Sequence, residues 1–345
     1  MKKIIVVGHF DNIGHSMNGA SVKARSILDE LQNQFGSKSV STVDIFNWRY
    51  RKFTVVINII KAFICAQNIV AVISDTSHTL IQFFHVLKIL FHRKIIYSVV
   101  GGDMAELLHQ KKEIIQMLRK TFDAFLVETI DCRDDMIALG LMNTHLMRNF
   151  KCIDSITEDM LPTHFEAPFS FCTFSRVAEE KGIADAITAI NLINDSVGYN
   201  LCRLDIYGEI EESYEINFNK LLETSSCCRY CGIVDSSNST NILKTYYCLL
   251  FPTKFQTEGI PGTIIDGFAC GIPIICSDWC RCRQLITDKF NGLIYPFDDF
   301  EAFVDTILFA ICNQDLLKNM RKNCLKSFLY YRSDIAIMPL LKLLD

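Results

Sequence analysis

Apolar runs of strand length recur along the chain. Each is closed by glycine, proline or a polar loop, and most are followed by a helical pattern. In the first half the runs fall at 3–7, 40–45, 69–73, 94–100, 122–128 and 146–150. In the second half they fall at 169–174, 204–207, 230–234, 249–251 and 274–276. Between them the spacing predicts helices over 19–31, 83–94, 131–139, 183–194, 241–247, 263–269, 300–313, 316–329 and 333–344. Runs that are apolar throughout, alternating with helices, predict parallel strands buried on both faces. The expected fold class is α/β, with two Rossmann-like domains.

The most informative stretch is 249–278. Leu249-Leu250-Phe251 reads as a buried strand end, and Pro252 stops it. Glu258 follows in a loop holding Gly259, Ile260, Pro261 and Gly262. A helix then starts near Thr263 and carries Asp266 in its first turns. The two carboxylates bracket a helix N-terminus, whose free N–H groups attract phosphate. Gly259 and Gly262 let backbone approach a ligand closely. Residue types alone also admit a helix cap and an ordinary surface acid.

Composition narrows the class. Of 345 residues half are hydrophobic and 21% charged, a globular composition of a length that suits two domains. Net charge is −4, and no polybasic tail points to nucleic acid. Residues 1–165 hold 19 Lys and Arg against 16 Asp and Glu; the remainder holds 16 against 23. Lys2 and Lys3 lead straight into a strand, so no secretory signal is expected, and the fifteen cysteines read as reduced, cytoplasmic thiols. Cys228 and Cys231, with Cys280 and Cys282, have loose zinc spacing, but no metal site is expected. Residues 53–74 are broken by Asn58, Lys61, Gln67 and Asn68 and read as an amphipathic helix and a strand, not a membrane span.

Residues 48–53 interleave Trp48, Tyr50 and Phe53 with Arg49, Arg51 and Lys52. Together with Lys88, Arg93 and Lys94 they fit peripheral contact with an anionic membrane; a solvated loop edge fits equally. Gly8, Gly14 and Gly19 lack the dinucleotide fingerprint spacing, which argues against an oxidoreductase.

The second half resembles family-4 glycosyltransferases of the GT-B fold, the retaining, capsule and exopolysaccharide type. The pattern stands as Pro252-Thr253, Glu258-Gly259-Ile260-Pro261-Gly262, Asp266 and Ala269-Cys270-Gly271-Ile272-Pro273-Ile274-Ile275, with Asp266 where the family usually has Glu. Ser175-Arg176 with Lys181-Gly182 is similar to the family's Gly-Arg-x-x-x-x-Lys-Gly, and 291–296 (Asn-Gly-Leu-Ile-Tyr-Pro) is close to Asn-Gly-Leu-Leu-Val-Pro. The resemblance is strong over 169–296 and weak before that. It implies a first domain over 1–155 completed by the helix 333–345, a donor-binding domain over 168–330, and a cleft between them, with 151–167 as linker.

The resemblance further implies transfer of a sugar from a nucleotide-sugar, a UDP-sugar before a GDP-sugar, to a hydroxyl of a lipid-linked or polysaccharide acceptor. Retention and no essential metal or cofactor are implied. Glu258, Arg176 and Lys181 would be catalytic, gripping donor sugar and diphosphate. Asp266 would hold the ribose; Gly259, Ile260, Gly262, Thr263, Val234 and Gly208 would line the donor. Gly19, Gly101, Gly102 and Asp103 would lie on the acceptor side, where Val100 replaces the family's usual His. Two rivals use the same fold: a nucleotide-sugar epimerase, told apart by turnover without acceptor, and a non-catalytic nucleotide-sugar-binding subunit, told apart by binding without turnover.

Overall fold

The alternation of buried strands and amphipathic helices is resolved twice in the computed structural model of the chain, which describes residues 3–10, 19–46, 48, 50–73, 78–101, 104–110, 112–235 and 238–345. By its contacts the chain forms two units, Met1–Cys152 with Tyr331–Asp345, and Ile153–Tyr330.

The first unit runs β1 (Ile4–Gly8), α1 (Gly19–Phe35), β2 (Val40–Asp44), α2 (Lys52–Cys65), β3 (Asn68–Ile73), α3 (His78–Phe91), β4 (Lys94–Val99), α4 (Met104–Gln110), α5 (Lys112–Thr121), β5 (Ala124–Val127), α6 (Ile130–Ala138) and β6 (Thr144–Leu146). Its six strands are parallel in the order β2-β1-β3-β4-β5-β6. The period of two divides β1 between two cores. Ile5 and Val7 join α2, α3, α5 and α6 on one face. Ile4 and Val6 meet Ala24, Ile27 and Leu31 of α1 on the other. At the carboxyl edge, Lys23 Nζ donates to Val99 O and to Glu128 Oε1, both at 2.6 Å, in an ion pair only 3% and 6% exposed.

The second unit runs β7 (Phe169–Phe174), α7 (Ile183–Val197), β8 (Cys202–Tyr207), α8 (Glu215–Glu223), β9 (Cys228–Gly232), α9 (Ser239–Leu243), β10 (Cys248–Phe251), α10 (Gly262–Ala269), β11 (Ile274–Ser277), β12 (Gly292–Tyr295), α11 (Phe300–Cys312) and α12 (Gln314–Phe328). Its parallel order is β12-β11-β10-β7-β8-β9. The chain then returns to the first unit as α13 (Ser333–Ala336) and α14 (Met338–Leu344). Their Ala336, Ile337, Leu340 and Leu344 complete the α1 face.

Several local readings shift: the strand expected over 146–150 is β6, ending at Leu146, and the helices expected over 83–94 and 241–247 are α3 and α9, each starting and ending earlier. The helix expected over 333–344 is two short helices meeting at Ile337. The strand expected over 230–234 is β9, displaced toward the N-terminus and ended where Gly232 takes φ 82°. The polar stretch 151–167 packs along the second unit: Ile156 N–H donates to Ala269 O at 3.0 Å and Glu158 pairs with Lys322 at 2.7 Å. Among the described residues no helix is long and apolar enough to cross a membrane.

Candidate active site

The strand order of the second unit has one place where consecutive connections part. From β7 the chain proceeds to β8 and β9 on one side; from β10 it proceeds to β11 and β12 on the other, while β7 and β10 are neighbours. Loops leaving the carboxyl ends of two such strands diverge and leave a crevice, the usual ligand site of open α/β sheets. The β7 loop carries Arg176 and Lys181. The β10 loop carries Glu258 and leads into α10.

These loops are joined residue by residue. Lys181 Nζ donates to Glu258 Oε2 at 2.5 Å, with side chains 12% and 15% exposed. Thr253 Oγ1 donates to Glu180 O at 3.3 Å and lies 3.5 Å from Glu258 Oε2. Lys254 N–H donates to Glu180 O at 2.8 Å, and its ammonium meets Asp185 at 2.9 Å. Ser277 Oγ, at the end of β11, donates to Thr253 O at 2.6 Å. Lys181 also lies 6.0 Å from the Phe251 ring centroid and 5.8 Å from that of Phe255, so aromatic faces as well as a carboxylate hold its charge.

Two glycines permit this closeness. Gly182 has φ 66°, and a Cβ there would fall 1.9 Å from Pro252 O. Gly208, just past β8, has φ 138°, and a Cβ there would fall 1.8 Å from Ser175 O. Only the missing side chain lets these loops touch. Gly208 O also accepts from Tyr230 Oη at 2.8 Å.

Arg176 is held differently from Lys181. Its side chain is half exposed, and its two terminal nitrogens donate to Glu211 at 3.0 Å and Glu180 at 2.7 Å. A guanidinium has five N–H groups, so these contacts leave donors over. Glu258, Gly259 and Gly262 are half-buried, and Ile260 and Thr263 are buried. Thr263 Oγ1, in the first turn of α10, is buried with no hydrogen-bond partner among the described residues. A buried hydroxyl left without a partner in the protein is open to one from a water or a ligand. Asp266 is wholly buried, and the Ser239 hydroxyl donates to it at 2.9 Å. Val234 is half-buried beyond the end of β9.

In the first unit, Gly19 opens α1 and is exposed. Gly101 follows β4 with φ 91°. Gly102 and Asp103 lie outside the described residues.

Pattern reading did not mark Thr253, Lys254 or Ser277 as site residues. Thr253 alone gave a signal, as the partner of Pro252 at a strand end. The Asp205 cluster was also missed. Buried Asp205 on β8 accepts from Tyr246 Oη at 2.6 Å and from Arg229 at 2.9 Å, and Tyr246 Oη lies 2.8 Å from Tyr207 Oη. Burial, then the Asp205 hydrogen bond, raises the Tyr246 phenol far above its ordinary range. The zinc-spaced cysteines are placed apart in role. Cys228 is buried and burial pushes its thiol up to about 12, while exposed Cys280 donates to Gln256 Oε1 at 3.3 Å and buried Cys282 lies 3.5 Å from Cys276 Sγ. Among the described residues no three His, Cys, Asp or Glu side chains are grouped to hold a metal ion.

Residues 161–327 match the family described as Glycosyl transferases group 1. A 98-residue stretch is 28% identical to the N,N'-diacetylbacillosaminyl-diphospho-undecaprenol alpha-1,3-N-acetylgalactosaminyltransferase of Campylobacter jejuni, over 28% of this chain and 26% of that protein. A 134-residue stretch is 25% identical to the UDP-Gal:alpha-D-GlcNAc-diphosphoundecaprenol alpha-1,3-galactosyltransferase of Escherichia coli, over 39% of this chain and 32% of that protein. The match thus spans about a third or less of either relative's length. HepE of Anabaena, solved in complex with UDP-glucose, superposes over 99% of both chains with a TM-score of 0.76 at 11% identity. The fold is GT-B, two Rossmann-like units.

Proposed function

We propose that this protein is a glycosyltransferase that moves a sugar from a nucleotide-sugar, a UDP-sugar by preference, to a hydroxyl of a lipid-linked or polysaccharide acceptor. The work is cell-surface polysaccharide or glycoconjugate synthesis at the cytoplasmic face of a membrane. The observation that carries the reading is the Lys181–Glu258 pair at the strand-order reversal of the second unit, beside the N-terminus of α10. The group 1 match over 161–327 supports it, as do two relatives whose names give diphosphoundecaprenol-linked acceptors.

The chemistry asks for negative charge to be held. The diphosphate arrives charged, and more charge develops on the leaving oxygen as the glycosidic bond breaks. Lys181, the spare donors of Arg176 and the amides opening α10 hold it; fixed dipoles and cations of this kind are commonly a large share of catalysis. Lys181 turns from Glu258 to phosphate, which frees the Glu258 carboxylate to accept from sugar hydroxyls. Thr263 Oγ1 gains the partner it lacks. Asp266, on the buried side of α10, fixes Ser239 and with it the ribose side of the pocket. The transfer proceeds with retention, and side-chain cations serve in place of an essential divalent metal.

Thermal unfolding in EDTA with UDP-, GDP- and ADP-sugars tests this. One UDP-sugar is expected to raise the midpoint, and ligand at a hundred times its Kd contributes about 2.7 kcal/mol. Turnover should then need an acceptor and persist in EDTA. No shift with any nucleotide-sugar, or turnover only with added metal, contradicts the reading.

A further inference from the structure

We propose that the outer face of α2 and α3, in the first unit, docks on an anionic lipid bilayer by inserting apolar side chains between basic ones. Each helix has one stripe in the core, with Val55, Ile59, Ala62 and Phe63 on α2 and Leu80, Ile81, Phe84 and Leu87 on α3. Each also has a second apolar stripe facing solvent. On α2 these are Phe53, Ile57 and Ile64, 88%, 50% and 53% exposed; on α3 they are Val86, Ile89 and Leu90, 52% to 64% exposed. The helices lie side by side: the Phe63 ring is 5.7 Å from Phe84 and 6.3 Å from Phe91, and Arg93 donates to Phe63 O and Ile64 O. The two stripes therefore form one surface, and a contiguous exposed apolar surface rimmed by polar residues is the kind that marks a contact.

Charge selects the partner. Between Asp44 and Asp103 the sequence has a single carboxylate, Asp75, against seven Lys and Arg. Lys52 and Lys61 are exposed on the same helix as Phe53, Ile57 and Ile64. α2 and α3 carry no acid of their own, and exposed apolar residues interspersed with Lys52 and Lys61 match an acyl boundary under anionic headgroups. Lys52 and Phe53 carry over from the patch expected from sequence, and Arg49 lies outside the described residues. Trp48 packs against the core, Lys88 pairs with Asp123, and Arg93 is occupied with carbonyls. Insertion by α2 and α3, with Lys52 and Lys61, takes the place of attraction by Trp48, Lys88 and Arg93. The purpose of the contact rests on the proposed lipid-linked acceptor; its test does not.

The test is flotation of the full chain with vesicles of phosphatidylcholine, with and without phosphatidylglycerol. The chain should float with anionic vesicles, less so in high salt. A triple variant, Phe53→Ser, Ile57→Ser and Leu90→Ser, should lower the partition coefficient at least about tenfold. Lys52→Glu with Lys61→Glu should abolish the preference for phosphatidylglycerol. Ile216→Ser in the second unit should change nothing. All these side chains are exposed, so circular dichroism should be unaltered, and any UDP-sugar thermal shift should be kept. Failure of wild type to float, equal flotation of the triple variant, or a dimer in sedimentation that the triple variant dissociates would overturn the proposal. Flotation without any nucleotide-sugar response would leave docking standing and sink the transferase reading.

Discussion

Lys181→Ala is expected to lower kcat/KM for the nucleotide-sugar by about a hundredfold or more while the protein stays folded. The Lys181 side chain is 12% exposed, at the meeting of the β7 and β10 loops, with Glu258 at 2.5 Å and two aromatic rings about its ammonium. A charge-assisted hydrogen bond to phosphate is worth on the order of 1.5–3 kcal/mol, and its loss alone is one to two decades. The variant also leaves Glu258 without its cation and repels the incoming diphosphate. Lys181→Arg should recover only part, because a planar fork needs more room than the ammonium between Phe251 and Phe255. Arg176→Ala should cost less, about tenfold, since that side chain is half exposed and shared between Glu180 and Glu211. Steady-state kinetics with saturating acceptor decide it. A Lys181→Ala enzyme within threefold of wild type would remove the residue from the mechanism.

Gly182→Ala should destabilise the second unit by roughly 3–5 kcal/mol and abolish donor binding with it. Two costs combine. A side chain at φ 66° is strained by itself, by about 1 kcal/mol. The added Cβ, 1.9 Å from Pro252 O, forces the β7 and β10 loops apart and pulls Lys181 from Glu258. Gly198 supplies the control. It has φ 78°, and a Cβ there meets nothing within 4 Å, so Gly198→Ala carries the strain without the collision. Urea unfolding should show about 1 kcal/mol for Gly198→Ala and several times that for Gly182→Ala. Equal losses would show that the loops yield easily and that their contact does not set the site.

The fold was legible because its signals are local. Apolar runs such as Ile4–Gly8 and Asn68–Ile73 are buried at every position, as a strand covered on both faces must be. The helix after Glu258 was visible from its glycines and the Gly271 that follows it. What escaped reading was pairing at a distance. Lys23 and Glu128 are 105 residues apart and look like ordinary surface charges until α1 packs over the carboxyl end of β5 and brings them together. Arg321 shows that some of this was recoverable. It falls on the stripe Leu317, Met320, Cys324 and Phe328, which makes it a core position. There it lies 4.4 Å from the Phe165 ring and donates to the carbonyls of Gly271, Tyr246 and Tyr247. Burial lowers its pKa to about 10, so the charge persists at neutral pH. A charged residue on an apolar stripe is a partner in waiting, and periodicity can find it without naming the partner.

The central claim is that a nucleotide-sugar diphosphate sits on Lys181 and the N-terminus of α10. A crystal structure of the protein with the UDP-sugar that stabilises it tests this most directly. The account predicts diphosphate oxygens within about 3.2 Å of Lys181 Nζ and of the amides opening α10, with Glu258 turned to the sugar hydroxyls. Diphosphate bound elsewhere, with the Lys181–Glu258 pair still closed, would contradict it.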